Sequence, residues 1–260
     1  MIDIQSQPDY RNIPIDKVGI KNLRYPVTVR DRRDGFQQTV ATINMYVDLP
    51  HNNKGTHMSR FVEILNTYRG DIAIRNFSKI LNDMKKTLNA KSAHLEIEFP
   101  YFIEKEAPVT HSKGLMEYIC RFCGSSNDVE DFYVGIVVPV TTLCPCSREI
   151  SDRGAHNQRS IVTVNVRFKK FFWIEDIIEL VERSASCDVY SILKRPDEKY
   201  VTEKAYDNPM FVEDIVREIA LKLSKDDNIT WFTVEAENFE SIHNHSAYAF
   251  VEKSDGIVDK

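Results

Sequence analysis

The sequence predicts an α+β fold in which one order of elements, strand-strand-helix-helix-strand-strand, runs twice along the chain. Three observations predict it. Several stretches alternate apolar and polar residues with period two, apolar stripes at helical spacing lie between them, and a polar Gly-Ser-Ser-Asn-Asp break at 124–128 separates two such series. Each series makes a four-stranded antiparallel sheet with two helices on one face, over 17–126 and 127–253.

In the first series, 21–30 reads as a strand and Asp34-Gly35 as a hairpin turn, because glycine accepts positive φ. In 40–48, Ile43, Met45 and Val47 share one strand face. Met58, Phe61, Val62, Leu65 and Tyr68 have helical spacing, as do Phe77, Ile80, Leu81, Met84 and Leu88. Leu95, Ile97 and Phe99 alternate, and a further strand covers 115–122. In the second series, strands at 133–140 and 162–168 precede a helical stripe of Ile174, Ile177, Ile178, Val181 and Ala185. A second helix is expected to start at Asn208-Pro209, asparagine capping and proline opening it. Its inner face is Val212, Ile215, Val216, Ile219 and Leu223, and strands around Phe232–Ala236 and Tyr248–Val251 close the pattern.

With 260 residues, 42% of them hydrophobic, the chain can bury a substantial core. The net charge of −5 argues against a broad nucleic-acid-binding face, yet leaves room for a small basic pocket. The first residues, MIDIQSQPDY, lack the basic start and apolar run of a signal peptide. No apolar stretch approaches the ~20 residues that cross a bilayer. A cytoplasmic protein without a membrane partner is therefore expected, and its five cysteines are better suited to metal binding or catalysis than to disulfides.

The densest chemistry lies at 139–160, which carries Cys144, Cys146 and His156 after an apolar strand. Thiolate and imidazole both ligate transition metals. On spacing alone, two small residues in a turn and a surface histidine explain the segment as well. A rival reading joins Cys120 and Cys123 to Cys144 and Cys146 in a closed four-thiolate zinc site, structural rather than catalytic. Cys187 reads as an ordinary buried residue. The charged connection at 193–208 offers Asp197, Glu198 and Glu203 as oxygen ligands, although a solvated loop accounts for most of it. His243 and His245 would share a face if they lay on a strand, and histidine moves protons near neutral pH. His57 precedes a helix whose free N–H groups suit a phosphate, with Lys54, Ser59 and Arg60 nearby; a polar helix cap accounts for these residues equally.

PVTTLCPCSREIS (139–151) followed by GAHNQRS (154–160) resembles the motif block of type IB GTP cyclohydrolases. So do LPHNNKGTHMSRF (49–61), LKRPDEKYVTEKAYDNPMFVED (193–214) and ENFESIHNHSAYA (237–249), in the family's order. The resemblance implies the tunnelling fold, two tandem modules per chain, and homotetramers whose barrels share active sites between subunits. It implies one divalent metal, manganese, iron(II) or zinc, carried by Cys144, His156 and Glu198, with Cys146 as a second cysteine beside it. Glu213 resembles the anchor for the guanine N–H groups of GTP. The implied reaction is hydrolytic opening of the guanine imidazole ring with release of formate, giving dihydroneopterin triphosphate, with His243 and then His245 as the proton-transfer candidates. Other expectations open to the same fold are a pterin synthase or a deazapurine nitrile reductase. The reductase's Glu-Ser-Lys nucleotide motif is not found in this sequence.

Overall fold

The computed structural model describes residues 5, 7–69, 74–127 and 129–254. In chain order the elements are β1 (Ile15–Asp31), β2 (Gly35–Leu49), α1 (Met58–Thr67), α2 (Phe77–Leu88), β3 (Ala93–Glu106), β4 (Lys113–Ser126), β5 (Glu130–Leu143), α3 (Pro145–Ile150), β6 (Asn157–Phe168), α4 (Ile174–Glu182), β7 (Cys187–Asp188), α5 (Arg195–Asp207), α6 (Val212–Leu223), β8 (Ile229–Asn238) and β9 (Ala247–Ser254). A short 3-10 turn, Ile74–Asn76, leads into α2. The strands hydrogen-bond in the order β1-β2-β3-β4-β5-β6-β8-β9, with β7 on β5. The chain divides into two compact units, Met1–Pro100 with Arg121–Val134, and Tyr101–Cys120 with Gly135–Lys260.

In the first unit, Asp31 fixes the opening hairpin. Its carboxylate accepts the N–H groups of Arg33 and Asp34 at 2.9 and 2.7 Å and the Gln37 amide at 2.7 Å. Gly35 sits at φ +79°, where a Cβ would strain the backbone. The predicted inward face of β2 is buried: Ile43, Met45 and Val47 are at most 1% exposed. Leu95 and Ile97 of β3 stand opposite Met45 and Ile43 in the register, and Phe61 and Leu65 of α1, Ile80, Leu81 and Met84 of α2, and Phe99 of β3 are buried as well. In α1 the stripe shifts by part of a turn, since Ile64 is buried while Met58 is exposed. Asn89 closes α2 in the left-handed region at φ +52°.

In the second unit, the core joins Val162, Val164 and Val166 of β6, Val234 and Ala236 of β8, Ile177, Ile178 and Val181 of α4, and Ile215, Ile219 and Leu223 of α6. It also encloses a charge network. The Lys105 amine lies 2.7 Å from Glu182 and 3.1 Å from Asp188, Tyr118 donates to Glu182, and Lys204 donates to Asp188. Burial pushes the Glu182 carboxyl up; that of Asp188, despite burial, is held below the usual range by Lys105 and Lys204.

Two expectations fail in this unit. The stretch 193–208 is not a loop: it is mostly α5, opened by Pro196 in its first turn and by Asp197 and Glu198 near its N-terminus. Asn208 is the C-cap of α5 rather than the N-cap of the next helix, and α6 starts at Val212, where the Asp214 side chain accepts the Phe211 N–H at 3.0 Å. Pro209 lies in the extended link between the two helices, where its missing N–H leaves no helical bond unmade.

Candidate metal and guanine site

Strand β5 ends at Leu143, and the chain turns at once into the short helix α3 with Cys144 at its N-cap. Pro145 opens that helix, and the Ser147 N–H donates to Cys144 Sγ at 3.4 Å. The chain then reverses through Gly154, at φ +132°, where any side chain would be strained. It returns as β6 with His156 just ahead of it. The Cys144 N–H donates to the His156 carbonyl at 3.1 Å. Ser147 Oγ accepts the His156 N–H at 3.2 Å and donates to the Cys144 carbonyl at 3.2 Å. One serine and one backbone bond therefore tie the two residues together without using either side chain's metal-binding atoms, apart from the orienting bond to the sulfur.

The described contacts of the His156 ring all fall on Nδ1. Gln158 Oε1 is 3.1 Å away, Ser241 Oγ 3.4 Å and Glu240 Oε2 4.0 Å. Glu240 and Ser241 come from the β8–β9 connection, so that loop reaches the cysteine-histidine loop. His243 and His245 lie on the same connection, not on a strand as the sequence allowed; their rings stack, centroids 5.1 Å apart and planes at 18°. Cys146 is exposed within α3.

Helix α5 docks on this loop and carries Glu198, whose side chain is exposed. Val201 and Ala205 pack with Leu143, Ala155 and Cys187 in one apolar cluster. Glu198 stands three residues before Val201 and seven before Ala205, hence beside the same helix face. The first turn of α5 is pinned by Asp197, which is buried. Its carboxylate accepts the N–H groups of Val109, Thr110 and Lys194 at 2.8–2.9 Å and the Thr110 hydroxyl at 2.6 Å. Burial raises its pKa, but these four bonds outweigh that and hold the carboxyl well below the usual carboxylate range. The segment before α6 is tied to the same place: the Met210 N–H donates to the Leu143 carbonyl at 3.0 Å. Glu213 follows in the first turn of α6, exposed, where a helix N-terminus favours negative charge.

Among the described residues no three His, Cys, Asp or Glu side chains gather closely enough to enclose an ion. Cys144 and His156 are brought together through their backbones, and Glu198 stands on the neighbouring helix. The donor set fits a borderline divalent ion: a soft thiolate, an imidazole whose Nδ1 is already engaged, and a hard carboxylate. The four-thiolate alternative does not fit. Met116, Tyr118, Cys120 and Phe122 form the buried face of β4, so Cys123, three residues past Cys120, points to the opposite face. Burial accordingly pushes the Cys120 thiol well above the usual range.

In the first unit, Lys54 is held by its N–H to the Gln7 carbonyl at 3.1 Å, and Ser59 lies exposed in the first turn of α1. His57 is the N-cap of that helix, and the Arg60 guanidinium donates to the Thr87 carbonyl at 3.1 Å. The residues that sequence reasoning missed are Ser147, Gln158, Glu240 and Ser241. Each is polar beside a motif residue, and only the fold shows which of them turn inward.

The family described as type I GTP cyclohydrolase folE2 matches residues 1–249. The GTP cyclohydrolase FolE2 of Syntrophus aciditrophicus is 65% identical over 254 residues, covering 97% of this chain and 100% of that protein. That of Geobacter sulfurreducens is 62% identical over 253 residues, covering 97% and 98%. Among solved structures, uricase from Arthrobacter globiformis aligns with a TM-score of 0.56 at 6% identity, covering 94% of this chain and 95% of that one. Urate oxidase from Bacillus subtilis 168 aligns at 0.53 and 9%, covering 92% and 98%. At such identities the likeness is one of fold alone.

Proposed function

The chain belongs to the type I GTP cyclohydrolase folE2 family and is a GTP cyclohydrolase of folate biosynthesis; we propose that a divalent ion held by Cys144, His156 and Glu198 serves its chemistry. The observation that carries this reading is the Cys144–His156 pair, locked by the Cys144 N–H bond and by Ser147. Manganese, iron(II) and zinc all suit one sulfur, one nitrogen and one oxygen donor. When bound, the ion supplies Lewis acidity that makes water a competent nucleophile near neutral pH.

The protein's own groups do the rest. Glu213 accepts two parallel hydrogen bonds from the guanine N–H groups, a donor pair that adenine lacks. Water adds at carbon 8 of the imidazole ring, the ring opens to a formamide, and a second water releases formate. The ribose then rearranges and closes onto the exposed amines with loss of water, giving 7,8-dihydroneopterin triphosphate. His243, with His245 stacked against it, moves protons in these steps. Cys146 stands beside the ion as a second thiol. Lys54, Ser59 and Arg60 bind the triphosphate.

The same reading takes the chain as the type IB form, with 17–126 and 127–253 as tandem tunnelling-fold modules. Four cytoplasmic copies assemble into barrels that share their active sites. Anaerobic incubation of metal-stripped protein with GTP, with and without manganese, tests the chemistry. Metal-dependent formate and fluorescent oxidised neopterin in equal amounts are expected. Folded protein that gives no formate with manganese, iron(II) or zinc overturns the proposal.

A further inference from the structure

We propose that Asn238, Ser160, Thr142 and Gln158 form a one-way chain of hydrogen bonds that fixes the ring tautomer of His156, so that Nε2 is the nitrogen presented to the metal. The inference rests on the reading of His156 as a ligand.

The direction of the chain follows from the Asn238 amide, whose oxygen faces Ser160. Ser160 on β6 faces Asn238 on β8 in the antiparallel register. The Ser160 hydroxyl donates to Asn238 Oδ1 at 2.6 Å. With that proton committed, Ser160 Oγ can only accept along its 2.8 Å contact with Thr142, so the Thr142 hydroxyl donates. Thr142 Oγ1 then accepts from the Gln158 amide nitrogen at 3.0 Å. This turns Gln158 Oε1 toward His156 Nδ1, 3.1 Å away. An amide oxygen only accepts, so Nδ1 carries the hydrogen and Nε2 the free lone pair.

Burial makes the order hard to reverse. Thr142 and Ser160 are 0% exposed, Asn238 2% and Gln158 7%. Flipping one link alone sets two donors or two acceptors against each other where little water can reach. Ser241 Oγ, 3.4 Å from the same ring nitrogen, can also accept from it, and the Glu240 carboxylate 4.0 Å away favours a hydrogen there. The ring is thus oriented from the side away from the ion, as second-sphere partners of metal-bound histidines are. Gln158 and Thr142 are positioning residues in this scheme, since neither touches substrate.

Long-range proton–nitrogen NMR of the histidine rings in the metal-stripped full chain reads the tautomer directly, with His156→Ala assigning the signal. A hydrogen on Nδ1 is expected; a hydrogen on Nε2 overturns the proposal. Thr142→Val, of nearly the same shape and without contact to the ring, frees the Gln158 amide to turn over. Mixed tautomer signals and about tenfold or greater loss of manganese affinity are expected. Adding Gln158→Glu to Thr142→Val should restore both, because a carboxylate has no donor face to turn. Affinity lost equally in the single and double variants, with unchanged ring signals, would reduce Thr142 to a packing role and overturn the chain. If His156→Ala binds manganese as tightly as the unaltered protein, the ligand reading falls, whereas the tautomer signals still report on the hydrogen-bond order.

Discussion

The N–H of Cys144 donates to the carbonyl of His156 across 3.1 Å, closing the eleven residues between them into a loop. The two proposed ligands are therefore set by backbone before any ion arrives. Cys144→Ala should leave that bond intact, abolish metal-dependent formate release and shift the melting temperature little. Cys120→Ser should do the reverse. It buries a hydroxyl at a position that is 0% exposed, with an expected loss of about 1–3 kcal/mol of stability and normal turnover per folded molecule. Paired denaturation and formate assays on the two variants check this; equal damage to activity in both would count against the ligand assignment.

Gly154 gives the loop its reversal at φ +132°. A Cβ there meets no atom within 4 Å, so Gly154→Ala tests backbone strain alone. Such strain costs about 1–3 kcal/mol, and the loop relieves it by shifting Cys144 relative to His156. Manganese affinity, measured by competition with a chelating dye, should fall by tenfold or more, while global stability changes less.

Asp197 links acid stability to the site. Its four hydrogen bonds favour the carboxylate, and its pKa is lowered from an ordinary value of 3.8. The stability it supplies is thus complete above about pH 4 and is lost as pH falls toward the lower folded value. Asp197→Asn should be less stable than the unaltered protein by a constant margin from pH 5 to 7, and that margin should shrink below pH 4. Urea denaturation across this range measures it.

Glu213→Gln should keep the fold and lose guanine. One of the two guanine N–H groups would face an amide donor, so kcat/KM for GTP should fall by at least a hundredfold. Steady-state kinetics and direct GTP binding check it, with manganese affinity as the control expected to stay unchanged.

Two ion pairs should differ sharply in worth. Lys105→Met leaves Glu182, whose side chain is 11% exposed, without a cation and Asp188 with Lys204 alone, an expected loss of about 3–5 kcal/mol. Lys199→Met removes a pair with Glu203 that is more than half exposed on both sides, where about 0.5 kcal/mol or less is expected. Thermal denaturation of the two variants side by side decides it.

Elements whose inward face is apolar were legible in the sequence. Ile43, Met45 and Val47 announced β2, and Ile215, Ile219 and Leu223 announced α6, because burial selects residues water rejects. Helix α5 was not legible, since its only buried residues are Asp197 and Ala205 and its docking rests on one apolar cluster. Its signals were the proline and acidic residues of the first turn. The second sphere of the site was equally hidden. Thr142, Gln158 and Ser160 continue the inward faces that Val140 and Val162 mark, but nothing in the sequence says that their polar groups bond to one another. Cys144, His156 and Glu198 were read through resemblance, and nothing in their spacing alone excluded a turn, a surface histidine and a solvated charge.

The two compact units are interleaved in the chain, the first ending at Val134 and the second beginning at Tyr101. Neither is a continuous stretch of polypeptide. During synthesis on the ribosome, the first unit lacks part of itself until residue 134 has emerged, by which time twenty residues of the second, 101–120, are already outside. A cut between residues 101 and 134 therefore leaves no fragment that holds either unit whole, and reconstitution from two halves would have to rebuild both at once.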